Sequence, residues 1–122
     1  MPTIAELLGK ILSDLKKTGE INGCATISRD GLLMASDIPS DIDGGTFAAM
    51  SATMLGTAET ATSELVRGIA DRVIVESSGG KIIVSGAGSS ALLVCTTPPD
   101  ANLGLVLVEM ARTSEKIKKV LL

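Results

Sequence analysis

The stretch from Thr46 to Gly68 constrains this chain more than any other. Its only charged residues are Glu59, Glu64 and Arg67. Phe47, Met50, Met54, Ala58, Ala61 and Leu65 recur at helical spacing and form one stripe. Ala48, Ala52, Leu55 and Val66 lie about a quarter turn away, and Ala49, Thr53, Gly56 and Thr60 cover much of the remaining surface with small groups. A helix on the outside of a monomer carries charge over half its circumference. This one is therefore expected to be covered twice, once by its own sheet and once by something else. Gly56 costs about 1 kcal/mol relative to Ala inside a helix, and close approach of another backbone is a physical reason to tolerate it. The competing reading, a helix wrapped by one large core, is hard to accommodate in 122 residues.

The segments around this helix read clearly. Thr3-Ile4-Ala5-Glu6 is a capping box, and Ile4, Leu7, Leu8, Ile11, Leu12 and Leu15 then form an amphipathic stripe that Gly19 ends. Cys24 to Ser28 and Leu32 to Ser36 read as strands, joined by Asp30-Gly31 as a two-residue hairpin turn. A polar loop from Asp37 to Gly45 offers Asp41 or Asp43 as a cap for the central helix. Asp71 to Glu76, Lys81 to Ser85 and Ala91 to Thr96 are three further strands, the last a continuous apolar run suited to a strand covered on both faces. Pro98 and Pro99 break the sheet, and Asn102 to Leu121 is a final helix; the β-branched run Leu105 to Val108 leaves a short strand there as an alternative. The order is α-β-β-α-β-β-β-α in one domain over residues 1–122, an α+β chain.

Composition narrows the chemistry. A net charge of −3 and a pI near 4.8 argue against a nucleic-acid groove, which needs an excess of Lys and Arg. The one basic cluster, Lys116, Lys118 and Lys119, sits beside Glu115 and reads as a solvated helix face. There is no histidine, so the usual general base and the commonest metal ligand are both missing. Cys24 and Cys95 fall inside apolar strands and in no C-x-x-C pair, which reads as two buried, inert thiols. Gly86-x-Gly88-x-x-Ala91 matches a dinucleotide fingerprint in form only, because a strand follows where a helix N-terminus is required. Asp37, Asp41 and Asp43 fit no calcium loop. We expect no enzyme activity, no cofactor and no bound metal. Without a signal peptide or an apolar run of about 18 residues, the chain is expected in the cytoplasm, away from the membrane.

Taken in order, these pieces resemble the roadblock/dynein light-chain family over nearly the whole chain. The resemblance rests on Ile21-Asn22-Gly23-Cys24-Ala25, Asp30-Gly31-Leu32-Leu33-Met34-Ala35, Phe47-Ala48-Ala49-Met50-Ser51-Ala52, Ile82-Ile83-Val84, Ala91-Leu92-Leu93-Val94 and Asn102-Leu103-Gly104-Leu105-Val106. It implies a profilin-like five-stranded antiparallel sheet with the second helix on one face and the terminal helices on the other. It further implies a homodimer paired through Phe47, Met50, Met54, Ala58 and Ala61 on that helix and Arg72, Val73, Ile74 and Val75 on the following edge strand. The resemblance points to a small Ras-like GTPase as partner, bound without an inserted arginine, although Arg29, Arg67, Arg72 and Arg112 are candidates for one. A light-chain-like scaffold and a small-molecule sensor of related shape are the alternative readings.

Overall fold

Thr3 opens the first helix in a computed structural model that describes residues 1–18 and 20–122. Its hydroxyl accepts from the Glu6 amide and the Glu6 carboxylate accepts from the Thr3 amide, each at 3.1 Å, which starts α1 (Ile4–Lys16). The expected stop at Gly19 lies outside the described residues. β1 (Gly23–Ser28), β2 (Leu33–Asp37), α2 (Gly44–Leu65), β3 (Arg72–Ser77), β4 (Gly80–Gly86), β5 (Ala91–Thr97) and α3 (Leu103–Leu121) follow in the expected order. The strands form one antiparallel sheet in the order β2-β1-β5-β4-β3.

Three local expectations need correcting. The β1–β2 connection is a four-residue loop, Arg29 to Leu32, and not a two-residue turn at Asp30-Gly31. Gly31 takes a positive φ of 91°, the Ser28 amide donates to the Leu32 carbonyl, and the register slips between Thr26 and Ile27. A bulge of this kind absorbs the extra residue. α2 ends at Leu65, short of Gly68, because Arg67 turns to a φ of 61° and its amide reaches back to the Thr62 carbonyl. Leu105 to Val108 is helical: the Asn102 side chain accepts from the Leu105 amide at 3.1 Å, and that cap decides against the β-branched bias.

Strand alternation sends side chains to two cores. On one face α1 (Leu8, Leu12, Leu15) and α3 (Val106, Met110, Ile117) bury Cys24, Ile83, Leu93 and Cys95. On the other, α2 contributes Ala48 and Leu55 against Ala25, Ile27, Val84, Leu92 and Val94. β5 is buried on both faces from Ala91 to Cys95, as its unbroken apolar run predicts.

The two faces are covered unequally. Five strands spaced about 4.8 Å apart span roughly 20 Å, whereas a helix with its side chains is about 10 Å wide. Two helices suffice for one face; α2 alone covers the β3–β4 side of the other only in part, leaving Ile82 and Val73 half-buried and Val75 exposed.

The β3–β4 turn is the tightest point of the backbone. Gly80 has a φ of 149°, and a Cβ there would collide with the Thr97 carbonyl oxygen. Gly80→Ala is expected to destabilise the chain by at least about 1–3 kcal/mol, read from urea unfolding.

Candidate interaction surface

α2 faces three ways. Its inner side, Ala48, Ser51 and Leu55, is fully buried on the sheet. Ser51 was not anticipated there; its hydroxyl has no hydrogen-bond partner among the described residues. One flank meets the β1–β2 loop. There Arg29 forms an ion pair with Glu59 at 2.9 Å and donates to the Gly88 carbonyl at 2.9 Å, tying hairpin, helix and β4–β5 turn together. Asp43 caps the helix by accepting from the Gly45 amide and the Thr46 hydroxyl. The Thr46 hydroxyl, then the Gly45 and Thr46 amides, hold the Asp43 carboxyl below its ordinary pKa.

The other flank is apolar and open. Phe47, Met50 and Met54 stand beside Ile82 of β4 and line a groove of about 440 Å³. Met50 is 61% exposed. Phe47, Met54 and Ala58 are half-buried and Ala61 is exposed. Val73, beyond Ile82, packs into the α2-side core, and Val75 shares its face by strand alternation. The structure brings Phe47, Met50 and Met54 together at the groove, with Val73 packed against the same core, while Ala58 and Ala61 lie further along the helix and Val75 further along the edge strand. It separates Arg72 and Ile74, which alternate to the α1/α3 side of β3, although all four strand residues remain on one free edge.

That edge is ready to pair. Because Ala87 donates to Ala91 across β4–β5, and the register runs unbroken through β4 to β3, the amides of Arg72, Ile74 and Glu76 point away from β4. Ile82 was missed as a groove residue, and alternation against Ile83 would have flagged it. At and past the helix end, Leu65, Val66 and Ile69 are 82%, 74% and 89% exposed, and of these Ile69 was not anticipated. Gly56, by contrast, is not a point of close approach within the chain: a Cβ there meets nothing within 4 Å.

Two further charged pairs lie away from this surface. Asp37 pairs with Lys16 at 3.0 Å, and Lys118 with Glu115 at 2.9 Å. Among the described residues, no helix is long and apolar enough to cross a membrane. Gly86 to Ala91 forms the hairpin between β4 and β5. Cys24 and Cys95, distant in sequence, are direct cross-strand partners. The β4–β5 pattern places them in a non-hydrogen-bonded pair, whose Cα atoms lie about 4.5 Å apart. Both are free thiols and fully buried. Desolvation, with Asp37 adding to it, pushes Cys24 up to about 12, and burial raises Cys95 well above its ordinary value.

The site is thus a five-stranded sheet with one helix on one face and the two terminal helices on the other, and an open apolar helix flank beside an edge strand. The comparisons give the chain a family. The roadblock/LC7 domain model matches residues 7–97, and the chain belongs to that family. An uncharacterised protein of Methanocaldococcus jannaschii is 34% identical over 112 residues, covering 92% of this chain and 97% of the relative. The gliding protein MglB of Thermus thermophilus superposes with a TM-score of 0.87 at 20% identity, covering 98% of this chain and 92% of that one. A roadblock/LC7 domain from Streptomyces avermitilis gives 0.86 at 22% identity, covering 93% and 96%.

The buried thiols set an alkaline limit on stability. In the fold they stay protonated where unfolded thiols, at 9.0, ionise. Their contribution is complete below that pH and is lost as pH rises from 9.0 toward about 12. Urea midpoints are therefore expected to fall between pH 8 and pH 11 (both roughly bracketing the thiol range), and to fall less in Cys24→Ala. Thiol labelling at pH 8 is expected only after unfolding.

Proposed function

We propose that this chain is a non-enzymatic homodimer, working in the cytoplasm as a regulator or adaptor that binds a small Ras-like GTPase. The observation that carries the dimer is the partly covered β3–β4 side of the α2 face. One helix cannot fully shield five strands, and the partly covered strip is bordered by an apolar helix flank and an edge strand with free amides. A second copy related by a two-fold axis answers both needs. β3 pairs with the partner's β3 through Arg72, Val73, Ile74 and Val75, and the partner's α2 lies against Phe47, Met50, Met54, Ala58 and Ala61. Edge strands rich in Val and Ile are hazards unless covered, and a two-fold contact buries the same patch twice.

Membership of the roadblock/LC7 family supports a role in binding other proteins, and the GTPase partner follows from the resemblance rather than from a residue constellation. The lack of histidine and the protonated, buried thiols support a non-enzymatic role. Two candidate arginine fingers are engaged within the chain: Arg29 with Glu59, and Arg112 with Glu109 at 3.4 Å. Arg67 and Arg72 are exposed beside the proposed seam. The outward surface of α2 stays open after pairing and offers the GTPase a smooth, nearly uncharged platform.

Met50→Asp places one charge per copy in the seam. An unpaired buried charge costs about 3 kcal/mol or more, which weakens association by over roughly a hundredfold. Light scattering is expected to show a 12.4 kDa particle with unchanged circular dichroism, since Met50 is exposed within one copy. Pull-down with GTP- and GDP-loaded Ras-like GTPases from the same organism is expected to show nucleotide-dependent binding. Failure with every such GTPase would reject the partner while leaving the dimer intact.

A further inference from the structure

A row of side chains on the α1/α3 face of the sheet carries reactive groups that the proposed function leaves unused. Strand register sets Asp37 of β2, Cys24 of β1, Cys95 of β5 and Ile83 of β4 side by side. Directly opposed residues of an antiparallel pair project from the same face. Both thiols therefore point into the core under α1 and α3, opposite α2 and away from the proposed seam.

The backbone brings the two cysteines as close as strands allow. The Thr96 carbonyl faces β1, where it accepts from the Asn22 amide at 2.8 Å. Backbone groups alternate along a strand, so those of Cys95 face β4, and Cys24 and Cys95 form a non-hydrogen-bonded pair. In such a pair the Cα atoms lie about 4.5 Å apart, and disulfides span Cα distances of about 4.4–6.8 Å. The bridge needs no movement of either strand.

The surroundings set who can reach them. Leu8, Leu12, Leu15, Ile83 and Leu93 enclose the pair, and the Cys24 thiol donates to the Leu12 carbonyl at 3.4 Å. The charged neighbours are Asp37, next in the row, and Lys16 of α1, joined at 3.0 Å and each partly exposed. Parting that ion pair is the shortest way in, and it uncovers Cys24 before Cys95.

We propose that Cys24 and Cys95 are a redox modification site, which a small peroxide closes into a disulfide between β1 and β5 of the folded chain. The Cys24 thiol gives up its proton, and its sulfur attacks one peroxide oxygen and breaks the O–O bond. The departing hydroxide takes that proton and leaves as water, with Cys24 now a sulfenic acid. The Cys95 sulfur then attacks the Cys24 sulfur, and the expelled hydroxide takes the Cys95 proton to form a second water. One peroxide is reduced to two waters, two thiols are oxidised to one disulfide, and a thiol reductant reverses the change. Burial keeps the thiols protonated and bulky labelling reagents out, so the first step is slow. The second step is favoured because its partner is already in place. Oxidation exchanges the Cys24–Leu12 contact between sheet and helix for a covalent bond between two central strands.

Peptide mapping of the full chain after hydrogen peroxide treatment tests the site. Remaining thiols are alkylated in denaturant before digestion. Trypsin cuts after Lys17, Arg29, Lys81 and Arg112, which places the cysteines in peptides 18–29 and 82–112. These two peptides are expected to run joined before reduction and apart after it. Loss of both free thiols, unchanged circular dichroism and no covalent dimer on a non-reducing gel are expected alongside. In Cys95→Ala, Cys24 is expected to gain oxygen instead, since no second thiol traps the sulfenic acid. The untreated sequence carries the main readout, so the proposal stays testable if that variant fails to fold. Two thiols still free after prolonged exposure overturn it. So does a disulfide between copies, or one that appears only with loss of the folded spectrum.

Discussion

The structure turns on an inequality of coverage. A five-stranded sheet must be shielded from water on both faces, and this chain supplies two helices to one and a single helix to the other. The α1/α3 face closes over Ile83, Leu93 and Cys95. The α2 face closes fully over β1, β5 and the near side of β4, where Ala25, Ile27, Val84, Leu92 and Val94 are buried, and only partly over Ile82 and Val73. The rest of that face, with Ile82 and Val75, is left beside an apolar helix flank. At about 25 cal/mol per Å² of apolar surface buried, covering such a strip in two copies at once is a substantial driving force for pairing. The same strip in an isolated copy is a liability for solubility.

The composition of α2 follows from that constraint. In the proposed pairing, a helix that serves its own sheet and a second copy cannot carry charge on either side. Its charged residues, Glu59 and Glu64, lie off both contacts, and Glu59 is held by Arg29. Small residues keep the outward surface low. The cost is a helix with weak intrinsic propensity, rich in threonine and glycine. The Asp43 cap and the Arg29 clamp compensate locally.

Much of the fold was legible because local signals agreed with the tertiary pattern. The capping box at Thr3, the unbroken run Ala91 to Cys95, and the Pro98-Pro99 stop each force one outcome. The misreadings came where a tertiary contact outweighs a local rule. Asp30-Gly31 favours a two-residue turn, but the loop is lengthened so that Gly31 can pass close to Ala49 of α2. Gly56 is open within one copy, where a Cβ would meet nothing within 4 Å, so nothing in the chain's own packing requires a glycine there. The apolar flank itself was visible in the spacing of Phe47, Met50, Met54, Ala58 and Ala61. Ile82 escaped notice because a strand residue joins the groove only through sheet topology, and Ile69 because it follows the helix end, where periodicity carries no information. The facing of Cys24 and Cys95 depends on which strands neighbour each other, a long-range fact that neither segment encodes alone.

Hydrogen exchange at the edge strand is the most direct measurement of whether a second copy covers this surface. The amides of Ile74 and Glu76 point away from β4 and have no partner strand among the described residues. If two copies pair through β3, those amides are protected in concentrated solution and lose protection on dilution, while the amides of β5 remain protected throughout. Rapid exchange at Ile74 and Glu76 at every concentration, in a particle of 12.4 kDa, would contradict the account.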